Sequence, residues 1–102
     1  MKGIRLDNSQ ILVISKAFRA HFLPEDHLWI FGSRVDLNKR GGDIDLYIET
    51  SMSAEEASSA RIKFLTNLEI ELGEQKIDVV MKIRDLDLPI YEVAKNEGVK
   101  LL

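Results

Sequence analysis

Residues 43–49, which read Asp-Ile-Asp-Leu-Tyr-Ile-Glu, alternate strictly between aliphatic side chains and acidic or aromatic ones. Successive side chains of a β-strand point to opposite faces of the sheet, so this alternation predicts a strand with its three aliphatic residues on a buried face. Asp43, Asp45 and Tyr47 then share the opposite face. Two carboxylates on one strand face, about 7 Å apart along the backbone, are the first candidates for a functional site.

The segments on either side of this strand predict helices and further strands. In chain order we expect a helix from Asp7 to Phe22, a buried strand from His27 to Phe31, the strand at 43–49, a long helix from Ser53 to Gly73, a strand from Lys76 to Met81, a helix from Pro89 to about Asn96, and a short extended piece at 98–102. The predicted fold class is α/β (α+β), with a small mixed three-stranded sheet flanked by helices. We expect a single domain over residues 1–102.

The composition excludes several classes of protein. Of the 102 residues, 45% are hydrophobic and 30% are charged, which is typical of a globular domain. The absence of cysteine excludes disulfides, thiolate metal sites and a cysteine nucleophile. A net charge of −3 argues against stable nucleic-acid binding. The first residues lack the apolar core of a signal peptide, and no apolar run is long enough to span a membrane, so we expect a cytoplasmic protein without membrane contact.

A third aspartate, Asp78, interrupts an otherwise apolar strand. Aspartate is unfavourable in strands, and a carboxylate that loses solvent needs a partner or a cation. If this strand lies beside the strand of Asp45, then Asp43, Asp45 and Asp78 converge. Two carboxylates about 4 Å apart repel by about 4 kcal/mol at an effective dielectric of 20. A divalent cation would remove that repulsion, and carboxylate ligands favour magnesium or manganese over zinc.

Gly32 and Ser33 follow the first predicted strand directly. Glycine permits close approach of a ligand to the main chain, and the amides that begin the following turn are suited to an anion. The hydroxyl of Ser33 adds a donor for a phosphate oxygen, and Arg34 adds positive charge. A phosphate-binding turn on one side and metal-binding carboxylates on the other would together form a site for a magnesium–nucleoside triphosphate.

This pattern of Gly32-Ser33, then Asp43-Ile44-Asp45, with Asp78 on a later strand, resembles the signature of the DNA polymerase β-like nucleotidyltransferases. The short chain is similar to the minimal nucleotidyltransferases, many of which are antitoxins paired with HEPN-family toxins. The resemblance implies that Asp43, Asp45 and Asp78 are catalytic residues and ligands of two Mg²⁺ ions. It implies that Gly32, Ser33 and Arg34 bind the triphosphate of ATP.

The implied reaction moves AMP from ATP to a protein hydroxyl, in particular a tyrosine of a HEPN toxin, with which the chain would form a hetero-oligomer. Two alternatives stay open at this point. One is an antitoxin that neutralises its toxin by binding alone. The other is nucleotidyl transfer to RNA or to a small molecule such as an aminoglycoside.

Overall fold

The computed structural model describes residues 6–32, 43–73, 75–83 and 88–102. Within these ranges the chain forms, in order, α1 (Asn8–His21), β1 (His27–Phe31), β2 (Ile44–Thr50), α2 (Ala54–Leu72), β3 (Ile77–Ile83), α3 (Pro89–Glu97) and β4 (Val99–Lys100). Each predicted helix and strand is present, with its ends within two residues of the expected ones. None of these helices is both long enough and apolar enough to cross a membrane.

The strands form one mixed sheet in the order β3-β2-β1-β4. β2 runs antiparallel to β1 and parallel to β3, and α2 supplies the crossover that a parallel pair requires. The predicted fold class is confirmed, but the predicted count of three strands is wrong. The fourth strand, β4, pairs with β1 within the extended piece expected at 98–102. It is only two residues long, which is too short for an alternating pattern to reveal it.

Side chains at the helix ends fix where the helices begin and stop. Asp7 caps α1 by accepting a hydrogen bond from the Gln10 N–H at 2.8 Å, and Oε1 of Gln10 in turn accepts one from the Asp7 N–H at 3.1 Å. Ser53 caps α2 by accepting from the Glu56 N–H at 3.2 Å. Gly73, with a φ of +78°, ends α2 in a backbone conformation that favours glycine.

The main core lies between one face of the sheet and the two helices α1 and α2. Phe18 packs against Phe22 and Phe64, with ring centroids 5.1 and 6.3 Å away. The fully buried side chains of this core are Ile14, Phe18, Leu28, Ile30, Ile44, Leu46, Ile48, Phe64 and Leu68. The three aliphatic residues predicted for the buried face of β2 are therefore in the core.

The opposite face of the sheet is partly covered by α3. Tyr91 of α3 stacks on Tyr47 with ring centroids 5.5 Å apart, and Tyr47 also contacts Trp29 at 5.2 Å. Together with Ala94, these residues form a second, smaller core. Asp45 and Asp78 lie on this same face, because side chains alternate along a strand and their neighbours in β2 and β3 point into the main core.

One buried carboxylate joins the segment before β1 to the end of β2. Asp26 is 2% exposed and accepts hydrogen bonds from the Leu23 N–H at 3.0 Å, the Thr50 hydroxyl at 2.7 Å and the Ser51 N–H at 3.2 Å. No sequence pattern marks Asp26 as a buried residue. The residues that donate hydrogen bonds to its carboxylate lie in turns and at a strand end, where the sequence has no periodic pattern. The carboxylate therefore stabilises the fold and is not a candidate for binding a ligand.

Candidate active site

Asp45 and Asp78 are direct neighbours across the parallel pair of β2 and β3. They lie near the N-terminal ends of their strands and on the same face of the sheet. Asp45 is partly buried, whereas Asp78 is exposed. The strand of Asp78 therefore lies beside that of Asp45, as the convergence of the aspartates requires. The strand register also places the two aspartates directly side by side.

Asp43 immediately precedes β2 and has the same strand parity as Asp45. Its Oδ2 lies 3.8 Å from the ammonium nitrogen of Lys76, the residue before β3. Both side chains are well exposed to solvent, at 51% for Asp43 and 68% for Lys76. The three predicted carboxylates thus share one end of two adjacent strands, with a lysine ammonium among them.

The charges at this end of the sheet act on one another. The pKa of Asp45 is raised, first because burial disfavours its charged form, and then because the carboxylates of Asp78 and Asp43 repel its negative charge. The ammonium of Lys76 opposes this effect. Within the described ranges, two carboxylates and one ammonium group therefore act on the charge of Asp45.

The carboxylates at this end of the sheet are the candidate ligands of a metal ion. In the described ranges, no three His, Cys, Asp or Glu side chains are grouped closely enough to hold one. The donor chemistry nevertheless fits a hard divalent cation, because every candidate ligand is a carboxylate oxygen. Asp45 and Asp78 occupy paired positions on neighbouring strands, which makes them the pair best placed to share such an ion.

Gly32 lies against the Asp45 carboxylate at the end of β1. Phe31 pairs with Asp45 across the antiparallel strands, and the chain then turns through Gly32 with a φ of +76°. A Cβ atom added at Gly32 would overlap Oδ2 of Asp45. Both the left-handed backbone and the close carboxylate require glycine here. The predicted phosphate-binding glycine and a predicted metal ligand are therefore adjacent, whereas Ser33 and Arg34 lie outside the described residues.

Tyr47 shares a sheet face with Asp45 but is fully buried, which removes it as a candidate for the site. Its hydroxyl donates a hydrogen bond to Oε2 of Glu49 at 2.7 Å. Burial, followed by this hydrogen bond and the negative charge of Glu49, raises its pKa far above the ordinary value. Trp29 is also buried, as the sequence predicts for this strand, and the ammonium groups of Lys95 and Lys100 each lie 5.5 Å from its ring centroid.

Lys76 is the residue of this region that sequence reasoning missed. Its position two residues before Asp78 gives it the same strand parity, and this parity was the signal that could have identified it. It also borders a cavity of about 590 Å³ lined by Leu65, Glu69, Gln75, Lys76 and Ile77. Within this cavity wall, Oε1 of Gln75 is buried and accepts no hydrogen bond from any described group.

A comparison with protein-family models gives no match, and a search of the curated proteins gives none either.

Proposed function

We propose that this chain is a magnesium-dependent nucleotidyltransferase that moves AMP from ATP to a protein hydroxyl. The observation that carries the proposal is the juxtaposition of Asp45, Asp78 and Gly32. Asp45 and Asp78 are paired positions on the same face of two parallel strands, and a glycine turn lies against the carboxylate of Asp45. Isolated aspartates on strands usually have a structural explanation, but the pKa of Asp45 is raised by burial and then by the neighbouring carboxylates of Asp78 and Asp43.

The reaction would be an in-line attack of the acceptor oxygen on the α-phosphorus of ATP. A bond forms between that oxygen and the phosphorus, the bond from phosphorus to the β-phosphate oxygen breaks, and pyrophosphate leaves. Asp78 is exposed and would accept the proton of the attacking hydroxyl. Asp45, with Asp43 and Asp78, would hold Mg²⁺, which when bound supplies positive charge to the attacking and leaving oxygens. Gly32, Ser33 and Arg34 would bind the triphosphate.

The proposed acceptor is a tyrosine of a HEPN-family toxin, with which the chain would form a hetero-oligomer in the cytoplasm. The choice of acceptor and partner rests on the resemblance of the motif to that of the minimal nucleotidyltransferases. The net charge of −3 favours a protein acceptor over RNA, because a negative surface repels a polyanion.

The decisive experiment incubates the protein with ATP, Mg²⁺ and a HEPN-family toxin encoded in the neighbouring reading frame, and measures the intact mass of that toxin. We expect a gain of one adenylate with the wild-type chain. Asp78→Asn and Asp45→Asn should abolish the gain, since each removes a carboxylate without changing side-chain size. Asp7→Asn serves as the matched control, because Asp7 caps α1 away from the site and asparagine also caps helices. No gain with the wild-type chain, or an undiminished gain with Asp78→Asn, would contradict the proposal.

A second candidate is an antitoxin that acts by binding alone. It is favoured by the exposed apolar side chains of Leu88, Ile90 and Val93, which are 44%, 41% and 44% exposed at and near the start of α3. A partner that covered them would remove apolar surface from water. The two candidates differ in one result. If Asp78→Asn neutralises the toxin as well as the wild-type chain does, then binding rather than transfer accounts for the protection.

A further inference from the structure

We infer that β3 pairs with the β3 strand of a second copy of this chain, antiparallel and about a two-fold axis that passes between the two Val80 residues. In the described part of the chain, β3 lies at one edge of the sheet, and β2 is its neighbouring strand. The pairing would join the sheets of the two copies into one continuous sheet. This inference goes beyond the proposed function and does not depend on it.

The first observation is the direction of the backbone groups of β3. The carbonyl oxygen of Lys76 accepts a hydrogen bond from the Ile44 N–H at 3.0 Å, so the carbonyl group of Lys76 points toward β2. The direction of the backbone groups alternates along a strand, so those at positions 78, 80 and 82 also point toward β2. The N–H and C=O groups at positions 77, 79, 81 and 83 therefore point away from β2, where a further strand can bond them.

The second observation is that the sequence of β3 is nearly symmetric about its middle residue, Val80. From residue 77 to residue 83 it reads Ile-Asp-Val-Val-Met-Lys-Ile. An antiparallel pairing with Val80 opposite Val80 of the second copy places every apolar residue of β3 opposite another apolar residue. In this register position 79 lies opposite position 81, and position 77 lies opposite position 83. These are the residues whose backbone groups point outward, so they form the hydrogen-bonded pairs of the ladder.

The third observation is charge complementarity. In this register Asp78 of each copy lies opposite Lys82 of the other copy, in the non-hydrogen-bonded kind of pair where side chains approach most closely. Opposite charges in such a pair stabilise it, whereas like charges destabilise it. A parallel pairing in register would instead place Asp78 opposite Asp78. Charged residues at a sheet edge generally discourage pairing with other molecules, so these two residues select one arrangement and disfavour the rest.

Contacts within the chain leave these groups able to bond a second strand. The outward-pointing carbonyl oxygen of Met81 accepts a hydrogen bond from the Tyr91 hydroxyl at 3.0 Å, and a carbonyl oxygen has a second lone pair for another donor. Lys82 is level with Glu49 of β2. Because an ammonium group has three N–H donors, Lys82 can donate both to its own chain and to Asp78 of the second copy.

The dimer should be weak and sensitive to charge. Two paired strands bury less than the roughly 1,200 Å² of a standard interface, so we expect a dissociation constant of about 10–200 µM. By symmetry, Asp78→Lys converts both attractive pairs of the dimer into repulsive ones, and Lys82→Asp does the same. Each variant alone should therefore dimerise at least about tenfold more weakly than wild type.

The experiment is sedimentation velocity at about 10 µM to 1 mM protein, after circular dichroism has shown that each variant is folded. An equimolar mixture of Asp78→Lys and Lys82→Asp should form heterodimers about as tightly as wild type dimerises, because one variant is positive at both positions and the other negative. Lys100→Asp is the matched control. It reverses the charge of an exposed lysine on β4, at the opposite edge of the sheet, and should dimerise as wild type does.

Amide hydrogen exchange of the wild type provides a second measurement that needs no variant. A rise in protein concentration through the dissociation constant should slow exchange at the N–H groups of Val79 and Met81, which point outward. Exchange at Val80, whose N–H points toward β2, should not change. The inference is refuted by a wild type that stays monomeric at about 1 mM, by dimers that either charge reversal leaves intact, or by a mixture that stays monomeric. Exchange at Val79 and Met81 that is independent of concentration would also refute it, even if a variant failed to fold.

Discussion

The contact between Gly32 and Asp45 provides the sharpest test of the site geometry. Replacement of Gly32 by alanine adds a methyl group at a φ of +76°, in contact with the carboxylate of Asp45. The left-handed backbone costs an L-residue about 1–2 kcal/mol. Moving the carboxylate away from its rotamer costs about 0.5–1.5 kcal/mol more. We therefore expect Gly32→Ala to lower the free energy of unfolding by about 2–3 kcal/mol, or about 10–20 °C in melting temperature.

A double-mutant cycle separates the two contributions. Asp45→Ala removes the carboxylate that the new methyl group meets, so Gly32→Ala should cost about 0.5–1.5 kcal/mol less in that background than in wild type. The control cycle pairs Gly73→Ala with Asp45→Ala. Gly73 also has a positive φ, +78°, but nothing lies within 4 Å of an added Cβ there. Its coupling to position 45 should be zero within about 0.3 kcal/mol.

The assay is urea unfolding followed by the fluorescence of Trp29, which is buried on the same face of the sheet as Asp45. Linear extrapolation gives the free energy of unfolding of each protein, and comparable slopes show that the unfolded states are comparable. Equal coupling in the two cycles, or no coupling in either, would refute the placement of the Gly32 turn against Asp45. Coupling confined to the Gly32 cycle would confirm it.

Further predictions concern ionisable residues of the fold. Because the folded-state pKa of Asp45 is raised above 3.8, its contribution to stability is fully present below that pH and is lost as pH rises through the folded-state value. Asp45→Asn should therefore raise the melting temperature in EDTA at pH 7 but not at pH 3. Asp26→Ala should cost about 2–4 kcal/mol in urea unfolding, because it leaves buried donors unpaired, against about 1 kcal/mol for the exposed cap Asp7. In a spectrophotometric titration, Tyr47→Phe should leave the alkaline absorbance change before unfolding unaltered, because the pKa of Tyr47 is far above its ordinary value. The first prediction is contradicted if Asp45→Asn raises the melting temperature as much at pH 3 as at pH 7. The second is contradicted if replacement of Asp26 and of Asp7 lowers the free energy of unfolding equally. The third is contradicted if Tyr47→Phe reduces the alkaline absorbance change.

The strands of the fold were predictable where polar and apolar residues alternate. In β2 the alternation assigns every residue to a face, and the structure agrees, because the aliphatic residues are in the main core and Asp45 is on the opposite face. β4 was not predictable as a strand, since its two residues carry no period and their pairing with β1 depends on where α3 ends. The predicted strand count was therefore too low by one.

The sequence predicts on which face of the sheet each candidate residue lies, but not which residues of neighbouring strands lie side by side. Strand parity places Asp78 on one face or the other, but only the register of β2 with β3 brings it level with Asp45. Parity also assigned Tyr47 to the face of the aspartates, and it could not show that α3 covers that part of the face. Lys76 went unnoticed although the predicted strand begins with it, because a lysine at a strand end is ordinarily a solvated surface residue.

The position of β3 in the sheet has a consequence for experiments on Asp78. In the described part of the chain β3 has a neighbouring strand on one side only, and its centre is the apolar run Val79, Val80 and Met81. Charged residues beside such an unpaired edge discourage it from pairing with the edge of another molecule. Asp78→Val would therefore remove a carboxylate and also promote self-association, so that precipitated protein would be mistaken for inactive protein. Asparagine at this position keeps the edge polar and isolates the loss of charge.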